Sequence, residues 1–201
     1  HGRGHRAAFG GGPVSATAPG ARIERLVTSG TFSLDGGTWD VDNNVWIVGD
    51  DTEVVVIDPA HDPAAIHAAV GDRAVRAILL THGHDDHIRA AKATAELLNA
   101  PIHLHPADRM LWDAVYDTAP DAELADGDEI TIAGVALQAV HTPGHSPGST
   151  SFVASDLGAV FSGDTLFNGG PGATGRSYSD FPTIIDSIRD RLLVLSAETA
   201  V

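Results

Sequence analysis

Residues 81–87 read Thr-His-Gly-His-Asp-Asp-His and place three imidazoles and two carboxylates within six consecutive positions. The apolar run at residues 77–80 precedes them and predicts a buried strand. Because extended backbone sends residues two apart to the same side, His82 and His84 can converge on one point as this strand ends. Imidazole with carboxylate suits zinc, iron or manganese better than calcium or magnesium. The stretch therefore indicates a metal site, with a solvated polar loop as the alternative.

Composition sets the class of protein. The 201 residues, 43% of them hydrophobic, predict one globular domain. The Gly/Ala/Pro-rich residues 1–21 are expected to be a flexible extension or a remnant of cloning, and residues 22–201 the domain. A net charge of −15 argues against a nucleic-acid partner. The chain has no cysteine and no apolar run long enough to span a membrane, and residues 1–20 contain no apolar segment typical of a signal peptide, so a cytoplasmic location is expected.

The apolar pattern predicts short strands that alternate with helices. Asp62 as N-cap and Pro63 at the first helical position mark the start of the first helix. Helices are expected over residues 63–70, 88–98, 108–115 and 179–195. Strands are expected over residues 23–27, 45–48, 54–57, 75–80, 129–132, 135–140, 150–154 and 159–161. The alternation indicates an α/β fold.

Three further polar residues follow predicted strands. Asp58 comes directly after one strand, His145 lies in a loop rich in proline and glycine after another, and Asp164 follows a third. Each alone is typical of an ordinary turn. Together with residues 81–87, they can surround a pair of metal ions.

Three segments together resemble a known family. Residues 82–87 fit the HxHxDH motif of the metallo-β-lactamase superfamily, residues 142–149 (Thr-Pro-Gly-His-Ser-Pro-Gly-Ser) resemble its TPGHTPGS loop, and residues 162–167 (Ser-Gly-Asp-Thr-Leu-Phe) resemble its SGDTLF segment. Within the superfamily the chain is most similar to glyoxalase II-like thioester hydrolases, with the persulfide dioxygenases as close relatives. The resemblance implies an αββα sandwich of two βα halves, with the metal loops along one edge.

The resemblance also implies a role for each residue of the site. Asp58 would brace the metal loop without binding metal, Asp86 would orient the attacking water, and Asp164 would set the spacing of the metals, which makes both of the latter catalytic. Two divalent ions are implied, zinc first, with iron or manganese as alternatives. The first ion would be held by His82, His84 and His145, the second by Asp86 and His87, and both by Asp164.

The chain departs from the family pattern in two places. The family supplies another histidine for the second metal after the final helix, whereas the sequence stops at Val201, so either the domain is truncated at its C-terminal end or the second site is weakened. The glycine-rich residues 168–176 form a longer segment than the family's. Arg176, at the end of this segment, is the candidate for binding the carboxylate of a thiol substrate, but the greater length of the segment weakens its match to the family pattern.

These features predict a metal-dependent hydrolase that cleaves the thioester of a low-molecular-weight thiol, of the S-acylglutathione or S-acylmycothiol type. A single lysine beside eleven arginines indicates GC-rich coding, which raises the mycothiol alternative. A persulfide dioxygenase with one iron on His82, His145 and Asp164 is the second hypothesis, and a non-catalytic metal-binding domain the third. The GDTLF segment and the charge disfavour a true β-lactamase and a nuclease respectively. A small-molecule substrate is expected, with neither a nucleic acid nor a membrane as partner.

Overall fold

The computed structural model of the protein describes residues 20–201. The predicted extension over residues 1–21 lies outside the described residues except for its last two positions, so this boundary stays a prediction. None of the described helices is both long and apolar enough to cross a membrane.

The first sheet has six strands in sequence order. The second strand is antiparallel to the first and the third, and the third to sixth strands are parallel to one another. The strands are β1 (Arg22–Leu34), β2 (Gly37–Gly49), β3 (Glu53–Ile57), β4 (Ala74–Leu79), β5 (Ile102–Leu104) and β6 (Ala122–Glu123). The strands predicted over residues 45–48 and 54–57 lie in β2 and β3, which pair as an antiparallel hairpin.

The hairpin of β1 and β2 is much longer than the sequence predicted. Each strand has 13 residues, and the turn between them uses Asp35 and Gly36 at positive φ angles of 52° and 78°. Aspartate followed by glycine with both residues at positive φ is typical of a tight hairpin turn. The outer half of the hairpin is mostly half-buried or exposed on both faces, so it lacks the apolar alternation by which a strand is recognised.

The second sheet has four antiparallel strands in the spatial order β10-β9-β8-β7. They are β7 (Glu129–Ile132), β8 (Val135–His141), β9 (Thr150–Ala154) and β10 (Ala159–Phe161), and all four were predicted to within one residue. A small hairpin of β11 (Leu166–Phe167) and β12 (Gly170–Pro171) follows, and β12 lies in the glycine-rich segment of residues 168–176.

The helices lie largely where the sequence predicts them, with one informative exception. The Asp62 carboxylate accepts the N–H of Ala65 at 3.0 Å and caps the first helix, as expected. The predicted helix over residues 88–98 is instead two helices, and the first begins at Asp85. The helices are α1 (Pro63–Val70), α2 (Asp85–Ile88), α3 (Ala91–Leu98), α4 (Arg109–Asp113) and α5 (Phe181–Ser187), which continues into a π-helical turn over Ile188–Leu192.

Strand β3 explains the layering. Val54 and Val56 point into the core shared with the helices, while Val55 and Ile57 point into the core between the two sheets. On the outer face of the second sheet, Ile184 of α5 closes a third core. The order helix, sheet, sheet, helix is the predicted αββα sandwich, which is thereby confirmed. Because β3 to β6 are parallel, their carboxyl ends meet at one edge.

Candidate metal centre

The predicted metal residues converge at this edge from four loops. The loop after β4 carries residues 81–87, and the loops after β8 and β10 carry His145 and Asp164. Asp58 follows β3 directly. All of them are buried except Asp164, whose side chain is 27% exposed and faces the open side of the site.

Three imidazoles form the first group of possible ligands. His82, His84 and His145 each bring a ring nitrogen within 4.8 Å of the others, and His84 Nδ1 lies 3.0 Å from His145 Nε2. Tetrahedral zinc with Zn–N bonds of about 2.0–2.1 Å separates its ligand atoms by about 3.3 Å. The spacing of these nitrogens therefore suits one metal ion.

The protonation state of this group also suits a metal. Burial, followed by the charge of neighbouring imidazoles, lowers the pKa of His82 well below its usual value and that of His84 to about 3. Both rings are therefore neutral at pH 7, as metal ligation requires. Their Nε2 atoms are buried without a hydrogen-bond partner among the described residues. Because a buried, unpaired polar atom is costly, the unpaired Nε2 of His82, which faces the site, is the observation that a bound cation would explain.

Asp58 organises the base of the site. Its carboxylate accepts the N–H of Thr81 at 2.8 Å and the hydroxyl of Thr81 at 2.6 Å, and lies 2.9 Å from His87 Nδ1. The Thr81 hydroxyl, whose proton goes to Asp58, can accept Nδ1–H of His82 at 3.0 Å. Asp58 thus orients His87 directly and His82 through Thr81, so that Nε2 of each ring faces the site. Asp58 itself has a φ of 51°, a strained conformation that such contacts maintain.

A second group lies beside the first. His87 Nε2 is 3.4 Å from Asp86 Oδ2 and 3.4 Å from Asp164 Oδ1. The other oxygen of Asp164 is 3.4 Å from His145 Nε2, so this carboxylate lies between the two groups. Burial lowers the pKa of His87, but the surrounding carboxylates outweigh burial and raise this pKa well above its usual value. Burial raises the pKa of Asp164, but His87 and His145 outweigh burial and lower this pKa to about 2. A cation bound there would replace the proton on His87.

The glycine-rich segment contributes a contact to the site. Nδ1 of His145 donates to the backbone carbonyl of Ala173 at 2.7 Å, which directs Nε2 towards the first group. Gly172 packs so closely on the Asp164 backbone that a Cβ there would overlap the carbonyl oxygen.

Asp108 joins two of the metal loops. It is fully buried and accepts hydrogen bonds from the Gly83 N–H at 2.8 Å, the Ser146 hydroxyl at 2.7 Å and the Gly148 N–H at 2.5 Å. Burial raises the pKa of Asp108, although these three donors oppose the shift. The carboxylate therefore holds the loop of residues 81–87 against the loop that carries His145.

Arg176, the predicted substrate residue, is exposed and forms no hydrogen bond or ion pair with either group within residues 20–201. Its guanidinium carbon is 4.0 Å from the ring centre of Trp39 and 5.6 Å from that of Phe32. The Phe32 ring is in turn 5.4 Å from that of His84. The tip of the β1–β2 hairpin thus positions Arg176 beside the metal loop, an arrangement that the sequence did not predict.

Several contributing residues escaped the sequence analysis. Asp108 had no signal beyond being a polar residue within a predicted helix, and Ala173 acts through its backbone. The side chain of Asn43 also contacts the second group, and His61 is hydrogen-bonded to Asn43, but no motif marks either residue. All of these contacts join positions at least 18 residues apart in the chain.

Fold and geometry define a metallo-hydrolase-type protein, and comparison with known families agrees. The family model described as the metallo-beta-lactamase superfamily matches residues 38–201, so the chain belongs to that superfamily. The probable metallo-hydrolase YqgX of Bacillus subtilis is 34% identical over 166 residues, which cover 75% of this chain and 79% of that protein. The hydroxyacylglutathione hydrolase GloC of Haemophilus influenzae is 31% identical over 163 residues, covering 73% and 77%.

Solved structures show the same relationship. The BLEG-1 B3 metallo-beta-lactamase aligns with a TM-score of 0.72 at 30% identity, covering 86% of this chain and 88% of that one. TTHA1623 in a di-iron-bound form aligns with a TM-score of 0.67 at 32% identity, covering 76% and 82%. ETHE1 from Myxococcus xanthus aligns with a TM-score of 0.66 at 26% identity, covering 78% and 67%. The predicted superfamily is therefore confirmed.

Proposed function

We propose that this protein is a metal-dependent hydrolase that cleaves thioesters of a low-molecular-weight thiol. The observation that carries the proposal is the pair of adjacent ligand groups that share Asp164: three imidazoles on one side, and Asp86 with His87 on the other. The name of the relative GloC, a hydroxyacylglutathione hydrolase, supports the thioester class.

The proposed ligand sets are those that the family resemblance implies, and the distances within the two groups support them. His82, His84 and His145 would hold one ion, Asp86 and His87 the other, and Asp164 both. Divalent ions held there supply Lewis acidity and lower the pKa of a bound water from 15.7 to about 7.

The residues would divide the remaining work. Asp86 accepts a hydrogen bond from the attacking water and orients it towards the thioester carbonyl carbon. A bond forms between the water oxygen and that carbon, the carbon–sulfur bond breaks, and the products are a carboxylic acid and a thiol. Such a reaction needs no side-chain nucleophile, which is consistent with a chain that has no cysteine.

Arg176 is the proposed contact for the thiol portion of the substrate. Its guanidinium is stacked on Trp39 and Phe32 next to the metal loop, so its N–H edges can meet an anionic group. Replacement of Arg176 by Leu is expected to raise KM more than it lowers kcat, because the contact is distant from the carbon that reacts.

The direct test uses the zinc-loaded chain with S-(2-hydroxyacyl)glutathione, the matching mycothiol thioester and a β-lactam as substrates. Thioester cleavage that disappears in the His82→Ala variant and after chelation is the expected result. Turnover that persists in metal-stripped protein, or a folded, metal-loaded protein that cleaves neither thioester, would refute the proposal. Faster cleavage of the glutathione substrate would exclude the mycothiol preference.

A persulfide dioxygenase is the second candidate, supported by the similarity to ETHE1 from Myxococcus xanthus. It would use a single iron on His82, His145 and Asp164. Elemental analysis separates the two functions: one iron per chain with oxygen uptake favours the dioxygenase, and two metal ions with thioester cleavage favour the hydrolase. The di-iron form of TTHA1623 makes iron worth testing in both assays.

A further inference from the structure

Asn43 is a buried side chain that the proposed reaction does not use. It lies on β2, and its Nδ2 is 2.9 Å from Asp86 Oδ2 and 3.1 Å from His87 Nε2. Both of these atoms belong to the proposed second metal position and are 3.4 Å apart. The amide of Asn43 thus contacts Asp86 and His87, the two proposed ligands that the second metal position does not share with the first.

The orientation of the Asn43 amide follows from its neighbours. A carboxylate accepts hydrogen bonds and has none to donate, so the nitrogen end of the amide must face Asp86. The oxygen end then faces His61, whose Nε2 lies 2.8 Å away and must donate its N–H. This arrangement gives both ends of the Asn43 amide a partner, whereas the reversed amide would set an oxygen against the carboxylate.

His61 is itself held in place by the first strand. A Cβ at Gly30 would come within 2.1 Å of His61 Nδ1, so the imidazole packs directly on this glycine. The Thr28 hydroxyl donates to the carbonyl of Ala60 at 2.7 Å and fixes the preceding residue against the same strand. His61 has a φ of 61°, which is unusual for a residue with a side chain and indicates that its position is strongly determined by these contacts.

We propose that Asn43, oriented by His61, is a positioning residue for the second metal ion. One N–H of its amide holds Asp86 by Oδ2, and no other hydrogen bond of that carboxylate is found in the described part of the chain. Its Nδ2 also lies 3.1 Å from His87 Nε2, and the imidazole of His87 is held from its other side by Asp58, 2.9 Å from Nδ1. Both ligands are therefore held in one arrangement before an ion binds, which lowers the ordering cost of binding.

The first metal position provides an internal reference. Asn43 forms no hydrogen bond with His82, His84 or His145 in residues 20–201. A general role in folding would weaken both positions together, whereas a positioning role would weaken the second alone. The proposal depends on the metal centre and not on thioester hydrolysis, so metal binding can test it whatever the substrate is.

The experiment measures zinc binding to the full chain by titration against a competing chelator and by elemental analysis after dialysis. Four variants are compared with the wild type: Asn43→Ala, His61→Phe, His61→Gln and Gly30→Ala. Phenylalanine keeps the ring volume of His61 but removes its donor, whereas glutamine keeps an N–H donor. Asn44→Ala is the matched control, since Asn44 is the exposed neighbour of Asn43 on the same strand.

The wild type is expected to bind two zinc ions per chain. Asn43→Ala and His61→Phe should weaken the second by about 10- to 100-fold and leave the first within about twofold. Gly30→Ala, which displaces His61, should act in the same direction, and His61→Gln should recover most of the affinity.

Three outcomes would overturn the proposal: a wild type that binds a single ion, equal weakening of both ions, or equal affinities in His61→Phe and His61→Gln. If Asn43→Ala does not fold, the two His61 variants decide the question. Loss of the second ion together with normal thioesterase activity would leave this proposal intact and contradict the proposed two-metal hydrolysis.

Discussion

Replacement of Asp108 by alanine tests whether one buried carboxylate holds the metal loops together. The change removes the acceptor of three hydrogen bonds, two from the buried backbone N–H groups of Gly83 and Gly148 and one from the Ser146 hydroxyl. Each buried donor left without a partner costs about 1–3 kcal/mol. Because burial of the charged carboxylate is itself unfavourable, as the raised pKa of Asp108 indicates, its removal offsets part of this cost. A net loss of about 3 kcal/mol in the free energy of unfolding is therefore expected.

For a domain of this size, that loss corresponds to a fall in Tm of about 6–12 °C. Thermal and urea unfolding, followed by circular dichroism, would measure it. Asp113→Ala is the matched control, because Asp113 is the last residue of α4, the helix that begins directly after Asp108, but its side chain is 49% exposed and, among the described residues, paired only with Arg109. A surface pair of this kind contributes about 0–1 kcal/mol.

Asp108→Asn should give an intermediate loss. An amide can keep one oxygen towards Gly83 and Ser146, but it then turns its NH₂ towards the Gly148 N–H. If Asp108→Ala and Asp113→Ala melt within about 2 °C of each other, the loops do not depend on this carboxylate and the reasoning is wrong.

Three further changes probe the site and its surroundings. Zinc at about 1,000 times its Kd should stabilise the wild type by about 4 kcal/mol, a rise in Tm of about 8–16 °C, and His82→Ala should lose most of it; an unchanged rise in that variant would rule out His82 as a ligand. Gly163→Ala places a Cβ 2.4 Å from the Thr81 hydroxyl at a φ of 52°, so zinc affinity measured by chelator competition should fall about tenfold, and an unaltered affinity would contradict the role of that contact. Asp180 caps α5 by accepting the Thr183 hydroxyl and N–H, and these bonds lower its pKa. Because the folded pKa lies below the unfolded value of about 3.9, the cap's contribution is present above that value and is lost as pH falls through the folded pKa. The Tm difference between the wild type and Asp180→Ala should therefore be constant from about pH 7 to pH 5 and shrink below about pH 4, and a difference that grows on acidification would reverse the assigned sign.

The local parts of the fold were predictable because their causes are local. Asp62 and Pro63 mark the start of α1 through capping and backbone geometry that involve only adjacent residues. The buried run of β3 is apolar on both faces, and that pattern is visible in the sequence. The outer half of the β1–β2 hairpin was missed since its strands are paired by backbone bonds and carry little apolar alternation.

The division of residues 85–98 into two helices was also missed, and the reason lies at the site. Apolar periodicity predicts the helix that packs on the core, but it cannot show that the backbone already turns helical at Asp85. That turn carries Asp86 and His87, while Ser33 of the hairpin donates its N–H to Asp85 at 2.9 Å. The course of the chain here depends on a contact 52 residues away in sequence.

The sequence by itself determined the chemistry of residues 81–87: the number of imidazoles and carboxylates, the spacing of His82 and His84, and the strand that precedes them. Neutral imidazole and carboxylate are sufficient to predict a metal and its class, because ligand preference is a property of the side chains. Only the tertiary structure decided which nitrogen of His82, His87 and His145 faces the site, since hydrogen bonds with Thr81, Asp58 and Ala173 respectively orient these rings. It also brought in Asp108, Asn43 and His61. Their influence depends on distances in space between residues far apart along the chain, and such distances have no signature in sequence spacing.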